Sequence, residues 1–313
     1  MDLQMIEVTT LSEASYIFIP PTSTLQLEGV SKGRLYALHG QGDNYHIFDD
    51  EGNWNTSIFS DPSILYYQLD REVFLEKELT DLIPEICYVK GGIIPRQALK
   101  RIRSYKQKAV PYLLPLVQNA EEQDKNPYYV GHVYAIYLLA ELGSTDLFPF
   151  LIESFMTNEK EEEHPLAHFL QEDGARILAS VFNGNLSSIK LIIETKQAYP
   201  YARGQAVRSL VILVHAGELE RDGVLQYFKY LLKMETNWSV TTQLVMACTA
   251  LYPDVAYPEI KAAYQQGKVD EWLIKLENVT QTLALQKDIV LHISKQDSRL
   301  QKIQSATERF GEM

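Results

Sequence analysis

The spacing of apolar residues changes character near residue 75. Before it, β-branched and aromatic residues stand in short runs at 16–19, 25–27, 34–38, 45–48 and 54–59. Turn-forming stretches separate them: Pro20-Pro21, Gly33, Gly40-Gln41-Gly42 and Asp49-Asp50-Glu51-Gly52-Asn53. Short runs at that spacing predict strands joined by hairpins. They occupy residues 8–68, so a small β-rich domain is expected over residues 1–75, a barrel or a curled sheet. A domain of about 60 residues buries proportionally little surface and needs support from its surroundings.

After residue 75 the period becomes helical. The segment 128–142 places Val130, Tyr134, Tyr137, Leu138 and Leu142 at mixed three- and four-residue spacing, and similar stripes recur at 175–182, 187–193, 206–213, 224–232 and 240–251. Each ends near a breaker, Gly143, Gly184, Gly217 or Pro253. The helix–breaker–helix units can be laid over one another at offsets drifting between about 33 and 41 residues, which suits stacked helical pairs better than an exact tandem array. One pair cannot bury its apolar face alone, whereas several in a row make a continuous core. The expected fold class is therefore α+β: the small β-rich domain, then an all-α, HEAT-like right-handed α-α superhelix, or solenoid, over 76–280. Residues 281–313, with Leu283, Leu285, Ile289, Ile293, Leu300 and Ile303, would form a C-terminal capping helix and tail.

From Gly91 onward the residues resemble an uncharacterised bacterial family catalogued as domain of unknown function 1186 (DUF1186). The resemblance covers roughly residues 91–280. It is carried by IPRQALKRI near residue 94, GHVYAIYLLAELG at 131–143, EDGARILASVFNGNLSSIKLIIE at 172–194, RSLVILVHAGEL at 208–219 and YPEIKAAYQQGKVD at 257–270. It implies a solenoid-like helical domain and brings no activity with it. Many members of that family end in a Cys- and His-rich zinc-binding tail, whereas residues 280–313 here contain no cysteine. The first 75 residues lie outside the resemblance.

Composition narrows the function classes. The 313 residues carry 29 Lys and Arg against 41 Asp and Glu, a formal charge of -12. That balance opposes nucleic-acid binding, which needs clustered cations to displace counterions. Cys87 and Cys248 are too few for a disulfide framework or a Cys-rich zinc site. The N-terminus has no basic n-region, and no stretch reaches the roughly 18 apolar residues that cross a bilayer. A cytoplasmic protein without a membrane span is expected, although secretion by a signal-free route would leave no mark. No cofactor is expected either. Gly40-Gln41-Gly42 lacks the third glycine of a dinucleotide fingerprint, and residues 49–53 lack the alternating acidic spacing of a calcium loop.

The remaining chemistry lies in three groups. If 164–172 is helical, His164, His168 and Glu172 share a face at four-residue spacing and could meet a divalent metal. Against this, Pro165 suits a first helical position and makes His164 a boundary residue. Second come the candidates for catalysis, His132, Asp173 and Arg176. Arg176 lies among Ala175, Ile177, Leu178 and Ala179, so it could project from an inner layer toward a groove, paired with Asp173. His132 sits among apolar neighbours and tyrosines, where a histidine more often packs than acts as a base. Third, Lys100, Arg101, Arg103 and Lys106, followed by Lys108, form a basic run that could contact a partner.

The preferred reading is a non-enzymatic scaffold or adaptor. It would bind a protein partner, one with basic segments, through the concave helical surface or the β-rich domain. A metal-dependent hydrolase built on His164, His168 and Glu172 is the first alternative. A bacterial effector acting on a host protein is the second.

Overall fold

The computed structural model describes residues 5–24, 29–41, 44–51, 53–56, 59, 62–69, 71–88, 94–120, 129–156 and 167–306. The chain divides into two compact units, Met1–Asp81 and Leu82–Met313.

In the first unit, four antiparallel strands join in the order β1 (Met5–Val8), β7 (Leu65–Leu69), β2 (Tyr16–Ile19), β3 (Arg34–Ala37). A second sheet runs β4 (His39–Gln41), β5 (Asn44–Phe48), β6 (Trp54–Asn55). Alternation sets the burial: Ile17 and Ile19 face inward from β2 and meet Tyr36, Ile47 and Ile64 in one apolar cluster. Asp50, just past β5, gathers this unit's polar groups by accepting from the Tyr36 hydroxyl at 3.0 Å and pairing with Arg34. Two expectations change here. Gly40 and Gln41 belong to strand β4 rather than to a turn, because their backbone pairs with Asn44 and Tyr45. And β7, absent from the expected runs, is an inner strand of the larger sheet, between β1 and β2. Its sequence, Leu-Tyr-Tyr-Gln-Leu, follows the turn at Pro62-Ser63 but shows no strict alternation of apolar and polar residues.

Thirteen helices follow among the described residues: α1 (Arg71–Cys87), α2 (Arg96–Ser104), α3 (Val110–Gln118), α4 (Gly131–Glu141), α5 (Phe148–Met156), α6 (Ala167–Ser180) and α7 (Leu186–Glu194). Then come α8 (Pro200–His215), α9 (Arg221–Met234), α10 (Trp238–Ala250), α11 (Tyr257–Gln265), α12 (Leu276–Ala284) and α13 (Lys287–Gln296). Helix α1 begins in the first unit and ends in the second.

Packing alternates along the chain. Helices α4, α6, α8 and α10 each lie against the next of that set, while α5 meets α7 and α9 meets α11. The two rows are tied by α7 on α8 and α9 on α10. Burial follows the rows. In α4 every residue from Gly131 to Ala140 is buried, whereas α7 buries only Ile189, Ile192 and Ile193, at helical spacing on one side.

The breakers work as caps. Gly143 and Gly217 hold φ of +62° and +78°, and in each case the amide one residue on reaches back five residues: Ser144 to Leu139 O and Glu218 to Leu213 O, both 2.9 Å. That is the left-handed helix stop that glycine adopts without a Cβ penalty.

Candidate functional site

Helices α4, α6 and α8 are crossed by a later stretch of the chain, residues 297–306, the strap. After α13, Asp297 caps a short 3₁₀ turn (Ser298–Leu300) by accepting from the Arg299 amide at 2.9 Å. The chain then extends over residues 301–306 without helix or sheet pairing of its own.

Side chains of the crossed helices supply the missing hydrogen bonds. On α6, Asp173, Arg176 and Ser180 stand at three- and four-residue spacing and so share a face. Arg176 Nε donates to the carbonyl of Gln301 at 3.1 Å. The Ile303 amide donates to Ser180 Oγ at 2.8 Å, and that hydroxyl donates in turn to the Arg176 carbonyl at 2.8 Å. On α4, Glu141 accepts from the Ala306 amide at 2.7 Å and pairs with Arg103 Nη1 at 3.3 Å. The Arg176 guanidinium is held from behind: its Nη1 lies 3.3 Å from Asp173 Oδ1, and Asp173 Oδ2 accepts from the Tyr137 hydroxyl at 2.7 Å. Between these polar hooks, Ile303 and Ala306 are buried, with 5% and 1% of their surface exposed.

Beside the strap, His215 of α8 has its Nε2 2.9 Å from Ser294 Oγ of α13, while Lys302 of the strap pairs with Glu218 just past α8. Burial, reinforced by nearby Lys295, pushes the His215 imidazole below the ordinary histidine value. Beside the turn, a cleft of about 210 Å³ opens between α8 and α10, lined by Arg208, Val211, Met246, Ala247 and the strap's Arg299 and Leu300. The Arg299 guanidinium, bonded to Asp297, holds that carboxyl below the ordinary carboxylate range.

The stretch EDGARILAS owes its composition to packing as well as to this surface. A Cβ on Gly174 would lie 3.0 Å from the Phe155 ring, so a larger residue there would push the ring aside by a few tenths of an ångström. Gln205 of α8 inserts beside the α6 backbone, accepting from the Ala175 amide at 3.0 Å and donating to the Gln171 carbonyl. Those are the two groups that an i→i−4 bond would join.

Deeper still, Arg203 and Glu235 form an ion pair with side chains only 3% and 5% exposed. Arg203 also donates to the Ile193 carbonyl at 2.8 Å. Burial works to raise the Glu235 carboxyl. The Asn237 amide, the Arg203 guanidinium and the Thr236 amide outweigh it, so the carboxyl sits below its ordinary value.

The structure thus joins Asp173 to Arg176 and sets both against the strap. His132 is not part of that constellation: it lies in the first turn of α4, buried, its ring 5.5 Å from that of Tyr129. Five residues separate it from Tyr137, about 7.5 Å along the helix. Glu172 is exposed on α6, and His168 lies in the first turn of that helix. His164 lies outside the described residues. Among the described residues no group of three His, Cys, Asp or Glu could hold a metal ion. Of the basic run, Lys100, Arg101, Arg103 and Lys106 are all exposed, with Arg101 over the Tyr105 ring and Arg103 reaching Glu141. Both cysteines are buried, and burial pushes the Cys87 thiol up to about 11 and Cys248 upward likewise, which leaves neither a thiolate nucleophile at neutral pH.

Sequence reasoning did not find Tyr137, Glu141, Ser180 or His215. Three of them stand at four-residue spacing from a neighbour in the set, Tyr137 with Glu141 and Ser180 with Arg176, which is the signal a helical face leaves. Nothing local marks what that face meets, since Ser180 and Ile303 are 123 positions apart.

The arrangement holds backbone amides and carbonyls of an extended chain, and its carboxylates are already bound by Tyr137, Arg176, Arg103 and the Ala306 amide. The class so defined is an α+β protein whose helical unit holds an extended segment across successive helices. The chain belongs to the family described as "Protein of unknown function (DUF1186)", whose model matches residues 77–310. The match runs beyond the expected 91–280 at both ends and includes the strap.

The chain is 32% identical over 239 residues to an uncharacterised protein of Chlamydia muridarum, covering 74% of this chain and 92% of that protein. It is 31% identical over 243 residues to an uncharacterised protein of Chlamydia trachomatis serovar D, covering 75% and 92%. No solved structure matches the chain. Among the described residues no helix is long and apolar enough to cross a membrane.

Proposed function

We propose that the helical unit is a HEAT-like α-α superhelix acting as a protein-interaction scaffold, and that its partner docks on the surface formed by α4, α6, α8 and α10. The alternating packing of helices supports the superhelix. One observation carries the binding role: Arg176, Ser180 and Glu141, on two successive helices, satisfy the backbone of an extended segment that has no ladder of its own. Unpaired backbone groups are costly to bury, so a surface that supplies partners in a row is suited to a peptide. The net charge of -12 favours partner segments rich in Lys and Arg.

Affinity co-purification of the full chain from its native cells, with Arg176→Glu beside it, tests this at low and moderate salt. The expected result is a stoichiometric partner retained by the natural chain, weakened at the higher salt and lost with the variant. A preparation that retains no partner, or one that binds both forms alike, overturns the scaffold reading at this surface.

A further inference from the structure

The partner surface is already occupied, and by a segment whose own chemistry describes what fits there. We infer that residues 301–306 are a detachable latch, and that the ligand of the surface is an extended peptide presenting a basic residue, an adjacent aliphatic residue and, three positions on, a small one. The inference rests on the scaffold reading above and deepens it.

Three features point to a seated ligand rather than to core. The segment is attached to the surface by three backbone bonds to the side chains of Arg176, Ser180 and Glu141. Backbone recognition of this kind accepts any extended chain, and specificity then comes from the pockets between the hooks. Those pockets are filled by Ile303 and Ala306, both buried, while the intervening Gln304 is exposed and Ser305 half-buried. The basic position is Lys302, which pairs with Glu218 at the rim. A carboxylate, Glu218, beside an aliphatic site selects a cationic-aliphatic segment.

The arrangement can also open. The segment follows the last described turn, Ser298–Leu300, and pairs with no strand or helix backbone, so releasing it breaks no described secondary structure. Its removal exposes Arg176, Ser180 and Glu141 without cutting the Arg176–Asp173–Tyr137 relay, which is anchored within α4 and α6. The surface stays preorganised, and the cost of opening lowers the apparent affinity for any competitor by the fraction of molecules that are open.

A fluorescent peptide of residues 297–306, Asp-Ser-Arg-Leu-Gln-Lys-Ile-Gln-Ser-Ala, tests this on full-length protein by anisotropy. Two latch-released forms, Ile303→Asp and the milder Ala306→Asp, are compared with the natural chain, with far-UV circular dichroism confirming that each is folded. The expected result is binding to both released forms at least about tenfold tighter than to the natural chain, in line with the open fraction. Adding Arg176→Ala to a released form weakens it again by about tenfold, as does replacing the peptide's isoleucine by aspartate. Equal affinity for natural and released chains, or none for either folded released form, overturns the latch. Release that instead produces dimers by strap exchange, read by mass photometry, assigns the surface to a second copy and overturns the proposed ligand.

A second readout needs no variant. The Ile303 and Ala306 amides of the natural chain should exchange with solvent faster than the buried amides of α8, because a latch opens without global unfolding. Exchange at the α8 rate makes the strap an integral part of the fold. A peptide that fails while the co-purified partner is still lost with Arg176→Glu sinks the latch alone. Loss of the partner result with peptide binding intact sinks the scaffold reading alone.

Discussion

Arg203 and Glu235 show what a buried charge requires here. Both side chains are nearly closed to water, and each has every near neighbour it needs: Ile193 O for the guanidinium, the Thr236 and Asn237 amides for the carboxylate. Removing one partner strands the other. Glu235→Ala should therefore cost about 3–5 kcal/mol of stability in urea unfolding, far more than the loss of a surface pair. A loss under about 1 kcal/mol would show that water reaches the site and that the pair is no anchor. His215 is the opposite case, a group whose burial favours the neutral form. Its folded value lies below the ordinary one of about 6.5, so the unfolded chain takes up a proton first as pH falls. The stability it contributes is present above about pH 6.5 and is lost as pH falls from there toward its depressed folded value. The melting temperature should drop between pH 7.5 and 5.5 by a smaller margin in His215→Asn than in the natural chain. An identical drop in both would assign the pH dependence to other groups.

At the scale of elements, the helices were legible because their signals are local. Residues 128–142 predicted α4, and the structure places it at Gly131–Glu141; the stripe at 240–251 became α10, Trp238–Ala250. Glycine stops are equally local. Gly217 has φ of +78° and open space where a Cβ would stand, so Gly217→Ala tests conformation alone. It should cost about 1–2 kcal/mol, the left-handed penalty of an L-residue, read as a shift in urea midpoint with unchanged slope. Gly174 looks the same in sequence and is there for a different reason, the Phe155 ring 3.0 Å from its missing Cβ. Strand β7 shows where local signals run out. It belongs to its sheet through pairing with β1, some sixty residues earlier, and the nearby turn at Pro62-Ser63 does not say which strand it will join.

For the whole molecule, the excess of acidic residues governs encounter more than fold. A cationic partner segment should associate faster at low salt, and the co-purified complex should weaken as the screening length shortens toward about 8 Å near physiological ionic strength. Salt-insensitive retention would mean that the aliphatic contact, not charge, carries the affinity.

Periodicity, breakers and composition were enough to establish an α+β chain with a small β-rich start and a long helical remainder, and the family followed from its helix-packing stretches. Hydrophobic period and glycine stops act over three or four residues, so they survive in the sequence as written. The pairing of Asp173 with Arg176 was legible for the same reason. What the sequence could not show was that Ile303 returns to Ser180 and Ala306 to Glu141, 165 positions away, because a backbone amide looks alike in every residue. Only the tertiary structure decided that this distant segment of the chain would satisfy those side chains. Burying an unpaired backbone is costly, and Glu141 at the end of α4, with Arg176 and Ser180 on α6, offered the partners it needed.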